Sequence, residues 1–305
     1  MVLPLASADM TEALLVSAYD LHHGLLPDHD RLLGPEHAHT LYGTPTLLVV
    51  DSGGYELSDT FESGEIGRGA REKQPFGRAE FEALVDRLPR DRDQLVATYD
   101  RPDPERPSYR QQREAAQQFA ADRRYLKVDF LLKPPAGDRF VEPAKLTPHA
   151  GDLRGFDVIG VTEKELGDTV LDRLVCLAEL RQLLDVSGAE TVPLHVFGAL
   201  DPVLTPLYFM AGGEIFDGLS WLRYAYHEDT AMHPDELAVL TANIEAIQAR
   251  RDAQRHLSNL RQLGRLKLAL ERWANEPDRY DHLGRHHQRI REIYETLQAR
   301  LRRRD

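Results

Sequence analysis

Short runs of apolar residues recur along the chain, and most of them show no alternation between apolar and polar positions. Runs of this kind predict strands that are buried on both faces, as in a parallel sheet. The predicted strands are Leu14–Tyr19, Thr46–Val50, Gln94–Tyr99, Val128–Leu132, Asp157–Val161, Pro193–Phe197 and Glu214–Leu219.

Between several of these runs, apolar residues recur at the period of a helix. These segments are Ala79–Arg87, Ser108–Arg124, Leu166–Leu184 and Asp201–Ala211. Strands that alternate with helices predict βαβ units. Seven predicted strands, with an eighth hidden by a weak pattern, favour a (β/α)8 barrel over a doubly wound sheet. A Rossmann fold would also need a glycine-rich phosphate turn after its first strand, and Tyr19–Gly24 does not supply one.

The pattern changes at about Pro234. Beyond it, Glu236–Leu270 and Arg285–Arg303 are long, polar and helical in period. We therefore predict an α/β fold with two domains. A (β/α)8 TIM barrel covers residues 1–233, and a helical, basic C-terminal appendage covers residues 234–305.

Composition narrows the class of protein. Of the 305 residues, 42% are hydrophobic and 29% are charged, which is enough to build a packed core and excludes a wholly disordered chain. The single cysteine, Cys176, excludes a disulfide framework and a four-cysteine zinc site. We find no apolar run long enough to span a membrane and no signal-peptide pattern at the start, and we expect a cytoplasmic protein.

Charge is distributed unevenly. The net charge is -12, yet residues 250–305 carry 15 basic against 8 acidic side chains, which leaves 23 against 42 for the preceding residues. A basic tail on an acidic body is compatible with a local phosphate-binding face. The alternative is a solvated helical surface, because helix surfaces are often rich in charge.

Carboxylates follow several of the predicted strands, at the end where barrel enzymes place their reactive groups. Asp51, Asp100, Glu163, Glu165 and Asp217 are in such positions. Acids that converge on one face raise each other's pKa, which suits one as a general acid and another as a nucleophile. Each single acid could instead cap the helix that follows it.

Four short segments resemble a known family. Asp51-Ser52-Gly53-Gly54-Tyr55 is similar to the Asp-Ser-Gly-Gly-Phe signature of tRNA-guanine transglycosylases. The matching positions elsewhere are Tyr99-Asp100, Ile159-Gly160-Val161 with Glu165, and Phe197-Gly198, Pro202, Gly212, Ile215-Phe216-Asp217 and Arg223. The resemblance covers about Leu14 to Arg223, and more weakly His256–Leu260.

The resemblance implies a (β/α)8 barrel that exchanges a guanine in a polynucleotide for a 7-deazaguanine. Asp217 would be the nucleophile on the ribose C1′, and Asp51 the general acid and base. Arg223 would hold the sugar-phosphate. The base-binding residues would be Ser52, Tyr55, Asp100, Gly160, Val161, Glu165 and Phe197, with Tyr55 and Phe197 stacking on the ring.

The chain departs from the family at three points. The stretch after Asp217 has no cysteine, so we expect no zinc of the family's three-cysteine, one-histidine type there. The family's base-contacting glutamine is absent, and we assign Lys133 to its place as a base-binding residue. Trp221-Leu222 replaces the Pro-Thr before the family's arginine. These departures fit the relatives that insert 7-deazaguanines into DNA, and equally a divergent tRNA or nucleoside enzyme.

Two other interpretations stay open. A metal-dependent barrel hydrolase would use His37, His39, Lys133 and His195, although we interpret His195 as a core histidine. A catalytically inactive, nucleic-acid-binding subunit of the same fold is the non-enzyme alternative.

The expected partners are a nucleic acid, DNA or tRNA, and a 7-deazaguanine base. We expect no cofactor, no metal and no membrane. A homodimer or a partner subunit stays open.

Overall fold

The computed structural model describes residues 13–26, 47–57, 73–90, 93–101 and 105–303. Within these ranges the chain is a mixed α/β fold with a parallel sheet. It divides into two compact units. The first unit comprises residues 1–161 and 184–193, and the second comprises residues 162–183 and 194–305. The predicted domain boundary after residue 233 stays a prediction.

The strands of the sheet follow one another in chain order, from β1 to β7. They are β1 Ala13–Ser17, β2 Leu47–Asp51, β3 Asp93–Ala97, β4 Lys127–Leu132, β5 Val158–Thr162, β6 Leu194–Phe197 and β7 Ile215–Phe216, and a separate hairpin has β8 Ala225–His227 and β9 Thr230–Met232. In the first unit β1 to β5 pair in parallel, and in the second unit β6 pairs in parallel with β7. The seven predicted strands are confirmed, with shifted ends.

The helices that the sequence predicts between strands are also confirmed. The helices are α1 Ala18–His22, α2 Gly54–Leu57, α3 Arg78–Val85, α4 Tyr109–Asp122, α5 Pro143–Leu146, α6 Val170–Val186, α7 Leu204–Met210, α8 Ser220–Arg223, α9 Pro234–Leu240, α10 Gln248–Asn275 and α11 His287–Leu301. Short 3₁₀ segments lie at Thr147–Gly155, Glu163–Glu165 and Tyr280–Leu283. The longer apolar strands are buried almost throughout, as the lack of alternation predicts.

One predicted helix is wrong. The sequence predicts a single helix over Glu236–Leu270, whereas the structure has α9 and α10 with a break between them. Ala242 has a φ of 56°, in the left-handed region that a helix cannot continue through. The Asn243 N–H donates to the Ala238 carbonyl at 2.8 Å, which closes the end of α9.

The helix α10 is amphipathic and 28 residues long. Its buried side includes Asn259, Leu270 and Trp273, and it packs against β8 and the 3₁₀ segment Tyr280–Leu283. None of the helices in the described ranges combines the length and apolar character that crossing a lipid bilayer needs.

Candidate functional site

The turn after β2 is fixed by its own polar groups. The strand ends at Asp51, whose Oδ1 accepts a hydrogen bond from the Ser52 N–H at 2.6 Å. The Gly54 N–H in turn donates to the Ser52 hydroxyl at 3.3 Å, and Ser52 is buried. These contacts fix Asp51 and Ser52 at the carboxyl end of β2.

Both glycines of this turn allow a close approach that a side chain would block. A Cβ on Gly53, whose φ is +80°, would lie 2.9 Å from the backbone nitrogen of Tyr19. A Cβ on Gly54 would lie 2.9 Å from Asp100 Oδ2. The turn therefore packs directly against the Asp100 carboxylate, so the structure brings the Asp51 turn and Asp100 together.

Asp100 lies between two cations. Its Oδ2 is 3.2 Å from Lys133 Nζ, and its Oδ1 is 3.8 Å from Arg106 Nε. The side chains of Asp100 and Lys133 are only 10% and 11% exposed. The backbone of Lys133 is held in turn by Gln112, whose amide accepts from its N–H at 3.0 Å and donates to its carbonyl at 2.9 Å. Lys133 and Asp100, which the sequence analysis both assigns to base binding, are therefore in direct contact, and their role stays a prediction.

The carboxyl group of Glu56, in α2, lies near the Asp51 turn. Burial, together with repulsion from Asp51 and Asp20, raises the pKa of Glu56 from 4.5 to about 8. The nearby Ser17 hydroxyl opposes this shift only weakly. One carboxyl oxygen of Glu56, Oε2, is buried without a hydrogen-bond partner among the described residues. A pKa of about 8 favours the protonated form of Glu56 at neutral pH.

The other base-binding residues predicted in the first unit lie in α2 and in β5. Tyr55 is half-buried in α2. Gly160 and Val161 are buried in β5, opposite Leu131 and Leu132 of β4. They are therefore next to the strand that leads into Lys133.

In the second unit, Asp217 directly follows β7. Its carboxylate is in contact with His195 of β6 and with the backbone of Gly198, which follows β6. The Gly198 N–H donates to Asp217 Oδ1 at 3.1 Å, and His195 Nε2 lies 3.3 Å from the same oxygen. His195 is 1% exposed and stacks on Phe197 with ring centroids 3.8 Å apart. Asp217 is therefore a partly exposed carboxylate with one anchored oxygen.

The two acids after β5 differ in their surroundings. Glu163 accepts hydrogen bonds from Arg173 and from the Tyr208 hydroxyl, each at 2.7 Å. Burial, followed by the charge of Glu163, raises the pKa of Tyr208 above its usual range. Glu163 therefore forms a structural ion pair with Arg173. Glu165 is half-buried in the same 3₁₀ segment.

Arg223 is half-buried at the end of α8, and a residue of α10 fixes the backbone around it. The Asn259 amide nitrogen donates to the carbonyls of Trp221 and Tyr224 at 2.6 and 2.7 Å, and its oxygen accepts from the Tyr226 N–H at 2.6 Å. Asn259 is fully buried. It fixes the chain on both sides of Arg223.

Sequence analysis gave no role to three residues of these surroundings, Glu56, Arg106 and Asn259, and it interpreted His195 as a core histidine. The sequence did contain a signal for two of these residues, Glu56 and His195. Glu56 follows the Asp51 turn directly, and His195 is two residues before Phe197 in one strand, a spacing that puts both rings on the same face. No such signal predicts the contact between Arg106 and Asp100, because it depends on the loop that returns the Arg106 side chain to Asp100.

The described residues contain no group of three histidine, cysteine, aspartate or glutamate side chains that could hold a metal ion. His37 and His39, from the hydrolase alternative, lie outside the described residues. Comparison with known proteins adds no family assignment, since no protein-family model and no curated protein sequence matches this chain.

Proposed function

We propose that this protein is a base-exchange transglycosylase. It would replace a guanine in a polynucleotide, DNA or tRNA, with a 7-deazaguanine through a covalent aspartyl-ribosyl intermediate. The closed (β/α)8 barrel is part of this proposal, supported by seven parallel strands in chain order that alternate with helices.

The observation that carries the proposal is the group around Asp100. The Asp100 carboxylate is a hydrogen-bond acceptor, and the Lys133 ammonium 3.2 Å away is a donor. Guanine presents the complementary pair on one edge, the N1–H donor beside the O6 acceptor. Adenine presents an acceptor beside an amino donor, so the same pair would select against it.

The neighbouring turn supplies the proton chemistry of the proposal. Asp51 would protonate the departing guanine while the bond from C1′ to the base nitrogen breaks. It would then remove the proton from the nitrogen of the incoming 7-deazaguanine as that nitrogen attacks C1′. The proton on Glu56 limits the negative charge beside Asp51.

Asp217 would form the intermediate. An oxygen of its carboxylate would bond to C1′ as the guanine leaves, and the incoming base would later displace it. The contacts from Gly198 and His195 both fall on Oδ1. We therefore assign the attack to Oδ2 and the orientation of the carboxylate to His195 and Gly198.

Incorporation of labelled guanine tests this function. The full chain is incubated with radiolabelled guanine and either a mixed tRNA pool or duplex DNA, and the label in the polymer is counted. If the wild type incorporates label into one of the two polymers and Asp51→Asn does not, the result supports the proposal and identifies the substrate. Polymer binding without exchange, for guanine or 7-deazaguanine, would instead indicate an inactive binding subunit.

A further inference from the structure

Four arginines form a straight row on α10. Arg250, Arg261, Arg265 and Arg272 are all exposed, and at 100° per residue they lie within an arc of about 60° on one face of the helix. With a rise of about 1.5 Å per residue, the row is about 33 Å long. We call these four residues the arginine stripe.

The buried side of α10 lies opposite the stripe. Asn259, Leu270 and Trp273 face the interior of the second unit, and Asn259 is bonded to the backbone around Arg223. The helix is therefore anchored on one side by its own chain. The arginine stripe occupies the side that faces away.

The stripe differs from the other arginines nearby in having no acidic partner. None of its four side chains has a hydrogen bond or ion pair within the described ranges. Arg251 and Arg255, on the same helix, bond to Asp235 and Asp252 at 2.9 and 3.2 Å. In α11, Arg289 pairs with Glu292 and Arg291 with Glu295. The positive charge of α11 is thus largely compensated, whereas that of the stripe is not.

We propose that the arginine stripe binds the sugar-phosphate backbone of a nucleic acid. This inference rests on the proposed function and names the surface that would hold its polymeric substrate. Guanidinium groups suit phosphate because they donate several hydrogen bonds in a fixed geometry. A duplex carries one negative charge per about 1.7 Å of its axis, so a row of this length can meet several phosphates.

A lipid surface fits the stripe less well than a nucleic acid does. Helices that lie on membranes insert an apolar face. The apolar side of α10 is covered by its own chain; within the helix the exposed large apolar residue is Leu268, at 53%, and Ile247 just before the helix is also exposed.

Fluorescence anisotropy with a labelled 30-base-pair duplex and a labelled tRNA pool tests the inference. The test variant is Arg261→Gln, Arg265→Gln and Arg272→Gln together. We expect it to weaken binding about tenfold or more at moderate salt. The slope of log affinity against log salt should fall in magnitude by about 2 to 3, because three phosphate contacts contribute about 0.9 each for duplex DNA.

The matched control is Arg285→Gln, Arg289→Gln and Arg291→Gln, which removes the same charge from side chains paired with acids. The control should keep most of the affinity and slope. Circular dichroism melting checks that both variants fold. Equal losses in the two variants would overturn the proposal, since they would reflect net charge alone.

Two further results would also contradict it. The first is that the wild type binds vesicles with one third anionic lipid but no nucleic acid, and that the stripe variant does not bind the vesicles. This result would assign the stripe to membranes. The second is that sedimentation shows a dimer for the wild type and a monomer for the stripe variant, again without nucleic-acid binding. This result would assign the stripe to contact with a second copy of the chain. Failure of base exchange leaves this binding measurement unaffected, so the two proposals fail separately.

Discussion

At the scale of single residues, charge balance around two carboxyl groups distinguishes this site. Asp100 is buried but neutralised by Lys133 and Arg106. Glu56 is half-buried, and desolvation together with the nearby acids raises the pKa of its carboxyl group to about 8. A carboxylate that binds base N–H groups must stay ionised, whereas Glu56 and Asp51 would repel each other if both were ionised, so the two environments suit the proposed site.

Glu56→Gln should make the protein more stable relative to the wild type as the pH rises. The folded state keeps Glu56 protonated up to about pH 8, whereas the unfolded state ionises it near 4.5. The wild type therefore loses stability between these pH values, by up to about 1.4 kcal/mol per pH unit, and the neutral glutamine does not.

Urea unfolding of both proteins from pH 5 to 8 measures this difference. Glu114→Gln serves as the control, because Glu114 is exposed and Arg110 lowers its pKa. A difference between wild type and Glu56→Gln that does not change with pH would show that Glu56 is ionised in the folded protein.

Asp100→Asn should weaken guanine binding by about 10- to 100-fold. The amide loses the negative charge that accepts two base N–H groups, and hydrogen bonds to charged groups contribute about 1.5–3 kcal/mol. Isothermal titration with guanine measures the affinity. Asp138→Asn removes a surface aspartate bonded to Lys145 and should change nothing. Unchanged affinity in Asp100→Asn would remove Asp100 from the base-binding set.

At the scale of elements, the strands could be predicted from sequence and several connections could not. Buried parallel strands leave continuous apolar runs, which is why β2, β4 and β5 were located within a residue or two. The break between α9 and α10 depends on the left-handed backbone of Ala242, and alanine gives no local sign of it.

In the candidate site, too, some features could be predicted from the sequence and others could not. The strand-end positions of Asp51, Asp100 and Asp217 follow from the pattern of strands. The contact of Asp100 with Arg106 and the bonds of Asn259 depend on the folding of loops and on helix packing across the chain. Apolar periodicity carries no information on such contacts, so they emerge only from the structure.

Asn259→Ala should lower the free energy of unfolding by about 2–4 kcal/mol. It would leave three backbone groups around the α8–β8 connection without these partners, and the Tyr226 N–H among them is buried. Urea unfolding checks this, with Ser258→Ala as the neighbouring control because its hydroxyl makes a single bond at 3.3 Å. Equal stability of the two variants would show that α10 does not hold this connection.

At the scale of the whole molecule, basic residues concentrate after residue 250 in an otherwise acidic chain. Among the described residues of this region, several arginines pair with acids and those of the arginine stripe do not. An acidic body with one unpaired basic row would orient a polyanion on approach, in a manner that salt weakens.

The central claim is that Asp217 forms a covalent bond to the sugar of a polynucleotide. The most direct test incubates the protein with a labelled guanine-containing tRNA or DNA, quenches it in denaturant and separates the products on a denaturing gel. We expect a labelled protein band for the wild type and for Glu214→Gln, an acid on the same segment. We expect no such band for Asp217→Ala. A covalent band that persists in Asp217→Ala, or base exchange by the wild type without any trapped adduct, would contradict the claim.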